Sequence, residues 1–338
     1  MPSICILPRK LGLGGPASFQ ARLADELRAN GVGVTFDPED SAISAILVVG
    51  GTRHLGDLRK AKRRGVRVVQ RLNGMNWVQR RKFTGIKHFF RAEINNWIIS
   101  TIRRDLADRI VYQSEFTNKW WHRVYGEVRV PGTVIYNGVN LTEYATQAHI
   151  DLPKDHYSML LVEGHLGGGY EQGLITAVDA AVLLNQRLDR PLELMVVGDV
   201  PPSLKAGVSS RGLEITLKGV VNRSEIPAID CSSHLLFSAD VNAACPNAVI
   251  EALACGLPVI GYDTGAIPEL IVNGSGRVAI YGGDPWKLEP PDLYSLVDAA
   301  QTVLKDHDAF SSGARQHAET AFDIHQIAQK YLHVLLDN

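Results

Sequence analysis

The chain has 338 residues, of which 45% are hydrophobic and 21% charged, with a net charge of −1; that length and balance suit a globular protein of two ordinary domains. No apolar run approaches the roughly 18 residues that cross a bilayer, and the first ten residues lack the apolar core of a secretory signal, so a cytoplasmic protein is expected. The four cysteines (Cys5, Cys231, Cys245, Cys255) show no CxxC spacing, which argues against a zinc ribbon or disulfide framework and for buried thiols in a reducing compartment.

The near-zero net charge hides an asymmetry. Residues 1–150 hold 23 of the 35 Lys and Arg but only 12 of the 36 Asp and Glu, so the rest of the chain is acidic. A basic half calls for an anionic partner. The domains are expected at 1–150, basic, and 151–313, acidic, with 314–338 as a C-terminal helical segment packing back on the first.

In chain order, Ser3–Leu7 is an apolar run fit for a buried strand. It feeds LGLGGPASF, where Gly12, Gly14 and Gly15 permit tight turns and Pro16 suits a helix start. The helix, about 17–30, puts Phe19, Leu23, Ala24 and Leu27 on one face, and Gly31 closes it. Strands are expected at 33–36, 45–49 and 66–72, with a helix at 55–64 and Asn73-Gly74 as a turn. From Arg59 to Arg91 stand 12 basic residues and no acid, interleaved with Trp77, Phe83, Ile86, Phe89 and Phe90. Such a mixture suits an anionic membrane surface, where each Lys or Arg contributes roughly 1 kcal/mol. A plain solvated basic face is the other reading, and nucleic acid the least favoured, because no nucleic-acid motif accompanies the run. DRIVYQSEF (108–116) reads as a strand followed by a helix capped by Ser114, and VIYNGVN (134–140) closes the first domain. Residues 141–156 are polar and serve as a linker.

The second domain opens with a strand at 157–162 and the loop EGHLGGGYEQG. Its triple glycine can wrap backbone N–H groups around an anion. Strands follow at 192–197 and 215–217, a helix at 224–230 and a strand at 234–237. In ADVNAACPNAVIEALACGLPVIGYDTGAIPEL (239–270), Asn247 is expected to cap a helix through its side chain. Gly256 and Pro258 end that helix, LPVIGY is a buried strand, and a short helix begins near Ile267. The free N–H groups at Asn247 and Ala248 suit phosphate, and Glu251, one turn in, is at a reach suited to a ribose diol. A strand and turn near 277–288 precede helices at 292–304 and 314–335. Asp306-His307-Asp308 spells DxD but falls at a helix end, where a solvated terminus accounts for it.

The stretch CPNAVIEALACGLPVIGYDTGAIPELI (245–271) resembles the donor-site signature of the retaining glycosyltransferases of family 4. That resemblance implies an α/β GT-B fold, in which two Rossmann-like domains of parallel sheet and flanking helices enclose an interdomain cleft. It also implies a nucleotide-diphosphate sugar as donor substrate, transfer with retention, and no cofactor or metal. Glu251 matches the family's ribose-binding Glu, whereas Ala243 stands where the family has its first Glu. By position Gly14 and Gly15 face the donor phosphates across the cleft. Arg71 and Asn73 occupy the place of a His that approaches the donor sugar, with a solvated Arg and a turn Asn as the alternative. Glu251, Arg71 and Asn73 are thus the catalytic candidates. The family's Arg and Lys that grip the diphosphate correspond here to His165 and Gln172. Lys218 and Arg223, flanking a turn at Val220 where the family seats the nucleobase, are candidates for the missing charge. The acceptor is unspecified: a glycan, a lipid-linked sugar or a small molecule. A peripheral position on the inner face of the membrane is one expectation. The rival is a non-catalytic sugar- or nucleotide-binding or assembly protein on a degenerate transferase scaffold.

Overall fold

The computed structural model describes residues 2–9, 14–146, 152–208, 212–272 and 274–337. Gly12, expected in the first glycine turn, lies outside the described residues. The chain divides into two compact units, residues 1–140 with 322–338, and residues 141–321. The chain thus passes between units at 140/141 and 321/322, where the sequence placed the boundaries at 150 and 313.

The first unit runs β1 (Ser3–Leu7), α1 (Gly15–Ala29), β2 (Gly33–Thr35), β3 (Ala45–Val49), α2 (Leu55–Arg63), β4 (Arg67–Leu72), α3 (Ile86–Thr101), β5 (Arg109–Tyr112), α4 (Glu115–Tyr125) and β6 (Gly132–Val134). Its strands are parallel in the order β2-β1-β3-β4-β5-β6. β3 is buried along its whole length, as an all-apolar strand covered on both faces must be. Ser114 caps α4 by accepting from the Thr117 backbone N–H at 3.1 Å, as its sequence context predicts. α3 has no counterpart in the sequence reading; it continues through a wide turn over Ile102–Leu106 before β5.

The second unit runs β7 (Tyr157–His165), α5 (Glu171–Asn185), β8 (Leu192–Asp199), α6 (Pro202–Val208), β9 (Glu214–Gly219), α7 (Ile226–Cys231), β10 (Leu235–Ser238), α8 (Asn247–Ala254), β11 (Val259–Tyr262), α9 (Ile267–Leu270), β12 (Gly276–Ala279), α10 (Leu293–Lys305) and α11 (His307–Ala321). These strands too are all parallel, ordered β12-β11-β10-β7-β8-β9. Their core is built from Leu161, Leu194, Leu235, Phe237, Ile260 and the apolar side of α5. The final helix, α12 (Ile324–Leu336), belongs to the first unit. Tyr331 on α12 meets Phe19 on α1 with ring centroids 5.4 Å apart, and His325 Nδ1 lies 2.6 Å from Glu26 Oε1.

The strand orders place the crevices. In a doubly wound sheet a ligand binds outside the carboxyl ends of the strands where the winding reverses. In the first unit that point lies between β1 and β3, where Gly14-Gly15 and Gly50-Gly51 leave the sheet. In the second it lies between β7 and β10, so the loops 165–170 and 239–246 flank it.

Candidate active site

The loop after β10 has a constrained backbone. Asn242 adopts φ 59°, a left-handed conformation that a residue with a side chain rarely takes. The loop is pinned from the β11–α9 turn: Ala266 N–H donates to the Ala243 carbonyl at 2.8 Å. Gly265, at φ +60°, leaves no room for a side chain, since a Cβ there would lie 2.5 Å from the Ala243 nitrogen. Asn242 is 4% exposed, and among the described residues its Nδ2 meets no hydrogen-bond partner. An orphaned buried amide costs on the order of 1–3 kcal/mol. Here it sits at the winding reversal, where a polar ligand would satisfy it.

α8 leaves this loop. Asn247 is its first helical residue rather than its cap; Pro246 holds the cap position with extended dihedrals and no side chain accepts there. Pro246 stands at φ −69° and ψ 125°, the extended conformation usual for a cap position, and its missing N–H leaves no donor to satisfy there. No side chain caps the start of α8, and the positive end of a helix dipole favours an anion there. Glu251, one turn in, is 8% exposed. Asp230, at the end of α7, is 1% exposed. Burial, then the charge of Glu251, raises the Asp230 carboxyl well above the usual carboxylate range.

On the other side of the reversal, the loop after β7 departs from the anion-wrapping expectation. The Gly169 N–H already donates to both carboxylate oxygens of Glu171, at 3.0 and 3.1 Å. The chain's own acid therefore occupies part of the cradle. His165 Nδ1 pairs with Asp199 Oδ2 at 2.8 Å, both side chains more than half exposed. Gln172 Nε2 contacts Thr176 Oγ1 at 3.5 Å. Gln172, Gly173, Thr176, Ala239 and Val241 line a small, mainly apolar hollow between the start of α5 and the end of β10. Two further acids lie at this edge, Glu163 in β7 and Asp240 after β10. Burial lifts both carboxyls toward neutral pH, and the charge of Asp240 lifts Glu163 further.

Lys218 ends β9 exposed, Val220 is 71% exposed, and Arg223 lies half-buried, 3.9 Å from Glu143. All three stand at the carboxyl edge of the same sheet. β9 is the outermost strand, so Lys218 is roughly 14 Å from β10 by strand spacing.

In the first unit, Gly14 and Gly15 are exposed at the start of α1, with Gly14 at φ 128°. Arg71 is not a solvated side chain: it is 1% exposed. Its guanidinium lies 3.8 Å from the Phe19 ring centroid and donates to the side-chain oxygens of Gln113 at 2.8 Å and Asn137 at 2.5 Å. It also donates to Asn73 Oδ1. Asn73 is half-exposed, and its backbone carbonyl accepts from Trp121 Nε1 at 2.9 Å. Arg71 thus fixes Asn73 at the end of β4.

The residues that sequence reasoning did not single out are Asn242, Asp230, Glu163, Asp240 and Glu171. Glu163 and Glu171 fall within the glycine loop 163–173, and Asp240 and Asn242 within the stretch 239–270, but nothing in either pattern marked those side chains, and Asp230 lies outside both. Among the described residues no group of three or more His, Cys, Asp or Glu is placed to hold a metal ion, and no helix is long and apolar enough to cross a membrane.

Two parallel six-stranded Rossmann-like units, one holding an uncapped helix start and a buried acid at its winding reversal, define the GT-B class. Comparison with known proteins agrees. Residues 159–306, within the second unit, match the family model of glycosyl transferases group 1. The sucrose-phosphate synthase of Thermosynechococcus elongatus superposes with TM-score 0.73 at 14% identity, over 99% of this chain and 98% of that one. HepE of Anabaena, solved in complex with UDP-glucose, gives 0.71 at 17% identity over 98% and 99%. WaaG, a glycosyltransferase involved in lipopolysaccharide biosynthesis, gives 0.70 at 15% over 99% and 100%. No curated protein sequence matches the chain.

Proposed function

We propose that the protein transfers a hexosyl group from a nucleoside-diphosphate sugar to an acceptor with retention of anomeric configuration. The observation that carries this reading is the uncapped start of α8 at the winding reversal, with Glu251 nearly buried one turn further on. In this reading Glu251 accepts from the ribose hydroxyls and the N–H groups of Asn247 and Ala248 meet the diphosphate. Negative charge building on the departing diphosphate is then met by preorganised donors at a helix start. The orphan amide of Asn242 contributes a hydrogen bond to the donor. Val220 covers the base, while Arg223, Lys218, His165 and Gln172 are the candidates beside the phosphates. In the first unit Gly14 and Gly15 offer close backbone approach, Asn73 is the polar side chain presented, and Arg71 is its positioning residue. The complex of HepE with UDP-glucose supports a uridine nucleotide as the first donor to try. The chemistry calls for no metal ion and no cofactor, and it belongs in the cytoplasm, where nucleotide sugars are made.

The test is release of nucleoside diphosphate from UDP-glucose and related donors, with the anomeric configuration of the product read by proton NMR. Turnover giving the same anomer as the donor supports the proposal. Inversion overturns retention, and donor binding without turnover favours the second reading, a binding or assembly protein. One observation favours that second reading: Ala243, 3% exposed, fills the place of the family's first Glu, and its backbone is pressed against Gly265.

A further inference from the structure

A helix in a water-soluble protein turns its apolar stripe inward. α3 carries a second such stripe facing out. Ile86, Phe90, Ile94 and Trp97 are 67, 61, 51 and 62% exposed, and at 3.6 residues per turn they fall within an arc of about 80°. Phe83, 89% exposed, extends the stripe ahead of the helix, and Phe89 packs edge-on against Phe90 with ring centroids 5.8 Å apart. Scattered surface apolar residues need no explanation, but a contiguous row with a charged margin marks an interaction surface.

The margin is cationic. Arg81, Lys87 and Arg91 are exposed and Lys82 half-exposed around the stripe. Glu93, the sole acid of α3, is engaged by Arg80 at 2.6 Å, which holds its carboxyl below the usual carboxylate range. The face therefore combines aromatic and aliphatic side chains with unopposed positive charge. A second copy meeting this face isologously would set the same cations against one another. Nucleic acid would satisfy the cations but leave the isoleucines without a partner. An anionic lipid surface satisfies both.

We propose that this face of α3 seats the first unit on an anionic membrane surface, with Phe90 and Trp97 at the acyl boundary and Arg81, Lys87 and Arg91 among the headgroups. The helix lies in the interface rather than crossing it, as an amphipathic helix with a charged margin does. The inference is independent of sugar transfer.

Flotation of the full chain with phosphatidylcholine vesicles, with and without about 30% phosphatidylglycerol, tests it, because anionic lipid is what the cations require. Binding is expected to the anionic vesicles and to fall steeply as salt rises, since exposed charges are screened within about 3 Å at 1 M. The pair Lys87→Glu/Arg91→Glu should weaken binding by more than about tenfold, and Phe90→Ser/Trp97→Ser should abolish it. Both pairs are surface changes, and unchanged thermal melting verifies that they fold. Bromine-labelled acyl chains should quench Trp97, with the quenching lost in Trp97→Phe while binding persists. Equal binding to neutral and anionic vesicles, no quenching, or a dimer that the Phe90→Ser/Trp97→Ser pair converts to monomer with vesicle binding intact would overturn the proposal.

Discussion

Asp230 on α7 lies within electrostatic reach of Glu251 on α8, and the two acids are not equivalent. Asp230 is the more deeply buried, its Oδ2 meets no hydrogen-bond partner among the described residues, and burial plus the charge of Glu251 keeps it protonated far above the usual range. A neutral Asp230, in the last turn of α7, adds no second negative charge beside Glu251 on α8. That is the arrangement needed for an acid that accepts from a diol without a second buried charge beside it.

Asp230→Asn should therefore mimic the native protonated state. A carboxyl raised in the folded state keeps a proton that the unfolded chain releases, so wild-type stability falls as pH rises from about 4 through the raised value, by up to about 1.4 kcal/mol per pH unit. Urea unfolding at pH 5 and pH 8 should show a smaller loss in the Asn variant. An equal loss in both proteins would show that Asp230 is ionised in the fold.

His234 drives the opposite pH dependence. It is 6% exposed between β7 and β10 and accepts from the Ser158 N–H at 3.0 Å; burial, then the neighbouring His307, pushes it down to about 4. The unfolded chain protonates this ring near 6.5 while the folded one resists, so stability is lost as pH falls from about 6.5 to about 4, by about 3 kcal/mol in all. Because Asp230, Glu163 and Asp240 act in the reverse direction, the readout is the difference between wild type and His234→Asn. The variant should lose less stability over that window, and parallel acid limbs would contradict the assignment.

Arg71→Ala leaves three side-chain oxygens facing a void next to Phe19. Breaking such a buried polar cluster costs about 3–5 kcal/mol, so the chemical midpoint of the first unit should drop sharply. Affinity of the second unit for a nucleoside diphosphate should not change. Unchanged stability with weakened donor binding would instead make Arg71 a ligand-facing group.

For the cations, α7 packs on α8 and Arg223 opens the turn into α7, whereas Lys218 ends an edge strand. Arg223→Ala should weaken diphosphate binding about tenfold to a hundredfold, the worth of a charge-assisted hydrogen bond, with little effect on the nucleoside. Lys218→Ala should have a much smaller effect. The reverse ranking in calorimetry would move the diphosphate toward β9.

The strands were legible because parallel strands buried on both faces are written as unbroken apolar runs: Ile4–Leu7, Ala45–Val49 and Val259–Tyr262 need no context. The start of α8 was legible to within one residue, and its cap was misassigned because the helix begins one residue early: Asn247 is already helical and Pro246, which has no side-chain acceptor, stands at the cap position. α3 escaped because its outward residues are as apolar as its inward ones, so no single stripe announces a helix. The acids at the winding reversal escaped for a different reason. Burial of Asp230 or Glu163 is a consequence of packing between distant segments, and nothing in a local stretch of sequence marks a carboxyl that will lose its water. The Gly167–Gly169 loop shows the same limit: its glycines were visible, but the acid that takes the Gly169 N–H could be placed only by the fold.

The most direct test of the account is calorimetric titration of UDP, GDP and ADP into the wild-type chain and into Glu251→Gln. The account predicts that at least one nucleoside diphosphate binds the wild type, and that its affinity falls about tenfold to a hundredfold in the variant with the fold intact. No binding by the wild type, or equal binding by both proteins, would contradict it.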